Sequence, residues 1–104
     1  MNMDEEYIGY LAGVALDTIE SAYWDCPNED VHRARADIML TSFKNCSDDM
    51  HACNQALNTL HLLDDIAGDG EVDANLRMDA MWVLDELTGQ GITMEKLNRF
   101  HVRR

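Results

Sequence analysis

Carboxylates are the only side chains in this sequence that are numerous enough to suggest a chemistry. Twenty Asp and Glu residues stand against eight Lys and Arg, so the formal net charge is -12. Eleven of the acids lie between residues 45 and 95, where Arg77 is the only Lys or Arg. Groups of carboxylates bind metal ions, exchange protons with a substrate, or attract a positively charged macromolecule. Each of these activities requires a different arrangement of the acids along the chain.

Residues 65–76, between two predicted helices, have the length of a calcium loop and part of its pattern. Aspartate stands at the first, fifth and ninth positions, glycine at the sixth and an aliphatic residue at the eighth: Asp65, Asp69, Asp73, Gly70 and Val72. The segment thus resembles an EF-hand loop. Its third position, however, is Ala67, and its twelfth is Leu76, where a bidentate glutamate belongs. We therefore expect an acidic turn whose Asp73 caps the next helix.

Cys46, His51 and Cys53 are the residues whose types would suit a zinc ion. Structural zinc sites normally pair cysteines separated by about two to four residues, whereas six residues separate Cys46 from Cys53. Cys53 also falls on an apolar helix stripe, where a free cysteine behaves as a small hydrophobic residue. With Cys26 the cysteine count is odd, so we expect reduced thiols rather than disulfides. Because of the long spacing and the apolar position of Cys53, we expect no metal site.

Signatures of known enzyme classes are absent from the sequence. It contains no nucleophile elbow, phosphate-binding P-loop, dinucleotide fingerprint or zinc-protease helix motif. A carboxylate that acts as a general acid also needs a shifted pKa in a cleft, which spacing alone does not reveal. The sequence therefore favours a protein that is not an enzyme and uses no cofactor.

The elements that position the acids are helices. Apolar residues recur with helical spacing along most of the chain, which predicts an all-α fold. Because the predicted loops are short, we expect a small four- to five-helix bundle. It forms a single domain over residues 1–104. The predicted helices run from Asp4 to about Tyr23, Asn28 to Phe43, Asp48 to about Ile66, Ala74 to Leu87, and Met94 to about His101. The predicted N-caps of the last four are Asn28, Ser47, Asp73 and Thr93.

The predicted core faces follow from the same spacing. A break at Trp24–Pro27 ends the first helix, since proline disfavours helix in the preceding residue, and glycines end the third and fourth helices at Gly68 and Gly89. The predicted buried residues are Ile8, Leu11, Ala12, Ala15, Ile19, Ala22 and Tyr23 in the first helix, Val31, Ala34 and Ile38 in the second, and Cys53, Leu57, Leu60 and Ala67 in the third.

The fourth helix is apolar on two sides. Its two sets of apolar residues lie opposite each other, Leu76, Ala80, Val83, Leu84 and Leu87 against Met78, Met81 and Trp82. Such a helix is either sandwiched in the centre of the fold or shares one side with a partner, including a second copy of the chain.

The surplus of acids predicts the class of partner. An acidic body repels nucleic acid and anionic membranes, and it attracts basic protein surfaces, including those that bind nucleic acid. Residues 96–104 carry four cations and no acid, and we expect this basic tail to complement the end of the fifth helix. We predict that a basic protein or nucleoprotein complex contacts Asp64, Asp65, Asp69, Glu71, Asp73, Asp79, Asp85 and Glu86, together with Trp82, Met78 and Met81.

The expected location is the cytoplasm, or the host cytoplasm if the chain is encoded by a phage. The first basic residue is Arg33, so no secretory signal is expected. The apolar run from Ile8 to Leu16 is far shorter than the ~20 residues that span a membrane.

The predicted function is a non-enzymatic inhibitor or binding protein that imitates nucleic acid. Phage anti-CRISPR and other anti-defence proteins, antitoxins and bacteriocin immunity proteins are small acidic inhibitors of this kind, an analogy of size and charge. Two alternatives stay open. One is a self-associating structural or regulatory module, a homodimer through Met78, Met81 and Trp82, whose acidity serves solubility. The other is a degenerate EF-hand-like calcium-binding protein.

Overall fold

Five α-helices account for most of the residues that the structure describes. The structure is a computed structural model, and it describes residues 4–24, 28–46 and 48–102, with side chains as far as Asn98. The helices are α1 (Glu5–Ala22), α2 (Glu29–Asn45), α3 (Met50–Gly68), α4 (Ala74–Gly89) and α5 (Met94–Val102). No strand occurs in the described ranges, and the predicted all-α bundle is confirmed.

Side-chain caps define where the helices begin. The predicted caps Asn28, Asp73 and Thr93 are confirmed, because their oxygens accept backbone N–H groups at 2.9, 3.0 and 3.1 Å. Asp4 caps α1 in the same manner. Satisfying these otherwise unpaired N–H groups stabilises a helix by about 1 kcal/mol each.

The predicted start of the third helix is wrong by two residues. Ser47 lies outside the described residues, and the N-cap of α3 is Asp49, whose carboxylate accepts from the N–H of His51 at 2.9 Å. The N–H groups of Asp48 and Asp49 both donate to the carbonyl of Asn45, which extends the turn after α2. The next helix therefore begins at Met50.

The end of α4 is fixed by Gly91 rather than by Gly89. Gly91 has φ +84°, a left-handed conformation that only glycine adopts without strain. Its N–H donates to the carbonyl of Thr88, and the N–H of Ile92 donates to that of Leu87. This pair of bonds is a Schellman motif, and the burial of both Ile92 and Leu87 supplies its hydrophobic contact. The motif turns the chain directly toward α5.

The first four helices pack as the corners of a square. α1 contacts α2 and α4, and α3 contacts the same two helices, while α2 and α4 do not touch in the described structure. α1 and α3 also meet across the centre, where both carry small buried residues such as Ala15 and Ala56. α5 packs on α3. The outward face of α4 therefore points away from α2, on the far side of the bundle.

The core lies between these helices and is aliphatic apart from one ring. The radius of gyration, 13.1 Å, is that of a compact chain of about 100 residues. Its largest fully buried side chains are Phe43, Ile8, Leu11, Leu16, Ile19, Leu60, Leu63, Ile66, Val83, Leu87, Ile92 and Leu97.

The predicted core face of α2 is wrong. Ile38 is 51% exposed and Ala34 is exposed, while Val31 is only partly buried. The buried residues are instead Met39, Ser42 and Phe43. α2 is rotated so that its one large aromatic side chain enters the core.

One further burial prediction is wrong, because Tyr23, expected on the buried stripe of α1, is exposed. Of the two alternatives left open for α4, the sandwiched helix is not observed. Ala80, Val83 and Leu87 are buried as predicted, but Met78, Met81 and Trp82 lie on the surface of the described structure.

None of the described helices is long and apolar enough to cross a lipid bilayer.

The rotation of α2 is tested by comparing two truncations. Phe43→Ala should lower the free energy of unfolding by about 3–5 kcal/mol, because it leaves a cavity in the core, whereas Ile38→Ala should cost less than about 1 kcal/mol. Urea unfolding followed by circular dichroism measures both. Phe43→Leu, expected to cost about 1 kcal/mol, serves if Phe43→Ala does not fold. Equal losses at positions 38 and 43 would contradict the orientation of α2.

Candidate functional site

The exposed apolar side of α4 is extended by two tyrosines of α1. Met78, Met81 and Trp82 are 67%, 54% and 39% exposed, and Tyr10 is 58% exposed. Together with the half-buried Tyr7 they form what we call the α1–α4 patch. Isolated surface hydrophobics are common, but a contiguous group of two methionines and three aromatic rings is typical of an interaction surface.

Ring contacts join the two helices within the patch. The edge of one ring meets the face of the other between Tyr10 and Trp82, whose centroids are 6.2 Å apart at 80°. Tyr7 and Tyr10 stack with centroids 6.2 Å apart. On α4, Met78 and Trp82 are four residues apart and so lie side by side on the outward face. These contacts hold the rings in place before any partner binds.

Acids lie beside and within the exposed apolar side of α4. At 100° per residue, Asp79 and Glu86 lie on the side of Met78 and Trp82 next to α1, and Asp85 lies on their other side, between Met78 and Met81. No two of these three acids are three or four residues apart. They therefore form an acidic border around Met78 and Trp82 rather than a single row.

Glu86 is tied to α1 through Tyr7. The Tyr7 hydroxyl donates a short hydrogen bond to Glu86 Oε2. That bond, partial desolvation and the negative charge of Glu86 together raise the pKa of Tyr7 to about 12. The contact fixes the position of one acid of the border and couples it to the ring stack.

The remaining predicted acids lie at the end of α3 and in its connection to α4. Asp64, Asp65, Glu71 and Asp73 are exposed, and Asp69 is half-buried. Asp69 and Asp73 are partly used by the backbone, since they accept the N–H groups of Glu71 and Asn75. Partial desolvation, the nearby charges of Asp69 and Asp65, and a hydrogen bond to Asp69 raise the pKa of Tyr23. The structure thus divides the predicted acids between this connection and the α1–α4 patch.

The ion pairs found among the described side chains lie in the other half of the molecule. All ion pairs between described residues join side chains within residues 5–44, on α1 and α2. Asp64, Asp79 and Asp85 form neither an ion pair nor a hydrogen bond with any described residue. Arg77, the lone cation of α4, also has no ion pair there, and its buried Nε has no hydrogen-bond partner. The candidate surface therefore keeps its negative charge within the described fold.

One arginine of α2 shows how this protein holds a guanidinium. Arg35 Cζ lies 5.4 Å from the ring centroid of Trp24, and Arg35 Nη1 donates to Glu20 Oε2 at 2.9 Å. Glu20 is buried and also lies 3.0 Å from His32 Nδ1. An indole and a carboxylate thus enclose one cation.

The metal candidates do not assemble into a site. α3 continues through Ala67 and Gly68, so the connection to α4 comprises only residues 69–73 instead of an open calcium loop. Cys46 and Cys53 are buried, and burial raises the pKa of the Cys53 thiol, whose Sγ lies 3.4 Å from the carbonyl of Leu97. Among the described side chains, no three His, Cys, Asp or Glu residues lie together as metal ligands would.

Two shallow grooves lie between α2 and α3 in the described part of the chain. One, of about 320 Å³, is lined by apolar and amide side chains with Arg35 at its edge, and the other, of about 360 Å³, carries Asp37, Asp49 and His51. They share Ile38 and Gln55. Neither groove is lined by an acid of the predicted partner-binding set.

Sequence reasoning missed Tyr7 and Tyr10. The two residues are three apart and lie outside the predicted core stripe of α1. A second apolar side on α1, like the one noticed on α4, was the signal that could have found them.

Comparison of the chain with protein-family models, with curated proteins and with solved structures finds no match.

The link between Tyr7 and Glu86 predicts a pH dependence. Because folding raises the pKa of Tyr7 above its ordinary value of 10.0, the protonated phenol is favoured in the folded state. Its contribution to stability should be complete below pH 10 and be lost as the pH rises toward 12. Glu86→Gln should move the pKa of Tyr7 back toward 10, as followed by the ultraviolet absorbance of ionised tyrosine.

Two variants control this titration. Tyr7→Phe should remove the transition near pH 12, and Asp85→Asn, which neutralises an acid of the same helix without a bond to Tyr7, should leave it in place. A titration that is identical in the native protein and in Glu86→Gln would disprove the coupling.

Proposed function

We propose that this chain is a non-enzymatic binding protein whose acidic surface docks on a basic, nucleic-acid-binding surface of another protein. The α1–α4 patch and the connection between α3 and α4 form the contact, and nucleic-acid mimicry is the mode of inhibition. The observation that carries the proposal is that ten acids from Asp48 to Glu86 have no ion pair within the described residues, whereas the ion pairs of α1 and α2 are formed.

A charge distribution of this kind lowers the stability of the fold, and a cationic partner can offset that loss. Like charges on one side of a small fold repel each other and destabilise the compact state. A cationic partner supplies the missing counter-charge, accelerates association by electrostatic steering, and binds less tightly as salt screens the surface. Proteins that bind nucleic acid carry the basic surfaces to which such a body is complementary. An anti-CRISPR or other anti-defence protein, an antitoxin and an immunity protein are three concrete forms of this function.

The proposal predicts that the position of the acids matters, and not only their number. Asp64→Asn, Asp79→Asn and Asp85→Asn change net charge by three on the candidate surface, at residues that cap no helix. Affinity for the partner should fall by about ten- to a hundredfold, because each lost pair contributes about 0.5–1 kcal/mol. The partner is to be captured from host or phage-infected cells at about 50 mM salt and released at higher salt.

A second triple variant controls for net charge. Glu29→Gln, Asp30→Asn and Asp37→Asn remove the same charge from exposed positions on α2, at the opposite corner of the bundle. This variant should still bind the partner. The nucleic acid that the partner normally binds should compete with the native protein for binding to the partner. Equal retention of the partner by both triple variants, or no competition by nucleic acid, would rule out docking through this surface.

Self-association is the second candidate, and the exposure of Met78, Met81 and Trp82 favours it. A two-fold symmetric dimer through the α1–α4 patch would bring the acidic borders of both copies into one interface. Like charges directly opposed in an interface weaken it, and salt relieves the repulsion.

Salt therefore separates the two candidates. If the patch forms a homodimer, its dissociation constant should fall as salt is raised, since screening removes repulsion between Asp79, Asp85 and Glu86 of the two copies. The dissociation constant for a basic partner should instead rise as salt is raised. Sedimentation equilibrium at low and high salt measures the first effect. A protein that stays monomeric at both, at concentrations well above those of the capture experiment, excludes the dimer.

A further inference from the structure

The contact around Arg35 provides a template within this molecule for holding an arginine. Its guanidinium lies over the indole of Trp24 and donates to the buried carboxylate of Glu20. Guanidinium is planar and weakly hydrated, so it can stack on an aromatic ring and at the same time bond a carboxylate in its own plane.

The α1–α4 patch presents the same two groups without a cation. Trp82 is the other tryptophan of the chain, and the edge contact with Tyr10 holds its ring while 39% of the residue stays exposed. Asp79 and Glu86 border it on one side and Asp85 on the other. No Lys or Arg side chain of the described residues stacks on Trp82 or Tyr10 or pairs with these acids.

We propose that the α1–α4 patch binds an arginine side chain of the partner, stacked on the ring of Trp82 beside Tyr10 and paired with Asp79 or Asp85. The proposal rests on the function proposed above and names the residue that the surface recognises. Charge complementarity selects a cation, and the rings select arginine over lysine, because an ammonium group is a compact, strongly hydrated charge that stacks less well. Glu86 is already bonded to Tyr7 and fixes the ring stack in place.

The test compares two peptides of equal charge, hexa-arginine and hexa-lysine, by isothermal titration calorimetry on the full chain. The native protein should bind hexa-arginine about fivefold more tightly, as expected for about 1 kcal/mol of cation–π stabilisation. In the double variant Tyr10→Leu, Trp82→Leu, the affinity for hexa-arginine should fall about fivefold while that for hexa-lysine changes less than twofold. Circular dichroism establishes that the variant is folded, and Trp82→Leu alone serves if it is not.

A matched variant on the other tryptophan completes the design. Trp24→Leu removes the ring that already holds Arg35, and it should leave the preference for hexa-arginine unchanged. Equal affinity of the native protein for the two peptides, binding of neither, or an arginine preference that survives loss of both rings would overturn the proposal. Equal and salt-sensitive affinities would leave the proposed docking on a basic surface standing, since that is judged by the two triple variants. Salt-enhanced dimerisation instead of peptide binding would assign the patch to a second copy.

Discussion

The buried carboxylate of Glu20 constrains how α2 sits on α1. Only 4% of its side chain is exposed, and a charge removed from water in this way requires a cation and hydrogen bonds around it. α2 supplies the cation Arg35 and the ring nitrogen of His32. These two residues share a helix face with Met39 and Phe43, because consecutive members of this set are three or four residues apart. Pairing Glu20 and burying Phe43 are thus achieved by one orientation of α2. Ile38, which a count of apolar residues places in the core, is left in solvent.

The two halves of the sequence differ in how their charges are paired. The cations of the first half are engaged on α1 and α2, and between Lys44 and Lys96 the sequence contains only Arg77. Some acids of the second half have a structural role: Asp49 and Asp73 cap helices, where the helix dipole also favours a negative charge. Asp79 and Asp85, in the middle and near the end of α4, have no such compensation. Asp79 and Asp85, which border the α1–α4 patch, are therefore among the described acids that neither cap a helix nor form an ion pair.

Local rules predicted the elements, while tertiary packing decided their orientation. Asn28, Asp73 and Thr93 could be identified as caps because capping depends on a residue and the next few N–H groups. The rotation of α2 depends on Glu20 in another helix, so it does not follow from local spacing. The end of α4 is set by a local motif around Gly91, and the choice of Gly89 overlooked that second glycine. For the site, the two-sided pattern of α4 located Met78, Met81 and Trp82. The contribution of Tyr7 and Tyr10 required the packing of α1 on α4, which the sequence does not specify.

Charge and aromatic surface act on different steps of an encounter. Long-range attraction by the acids raises the association rate for any basic surface, and it selects little among them. In the proposed complex, short-range contacts with Trp82, Tyr10 and the two methionines would govern dissociation, since differences in affinity between related complexes arise mostly from the dissociation rate. The acids also oppose pairing of two identical patches, which leaves an exposed apolar surface open to a cationic ligand. A basic surface without a side chain able to stack would meet this protein as often, but would leave it sooner.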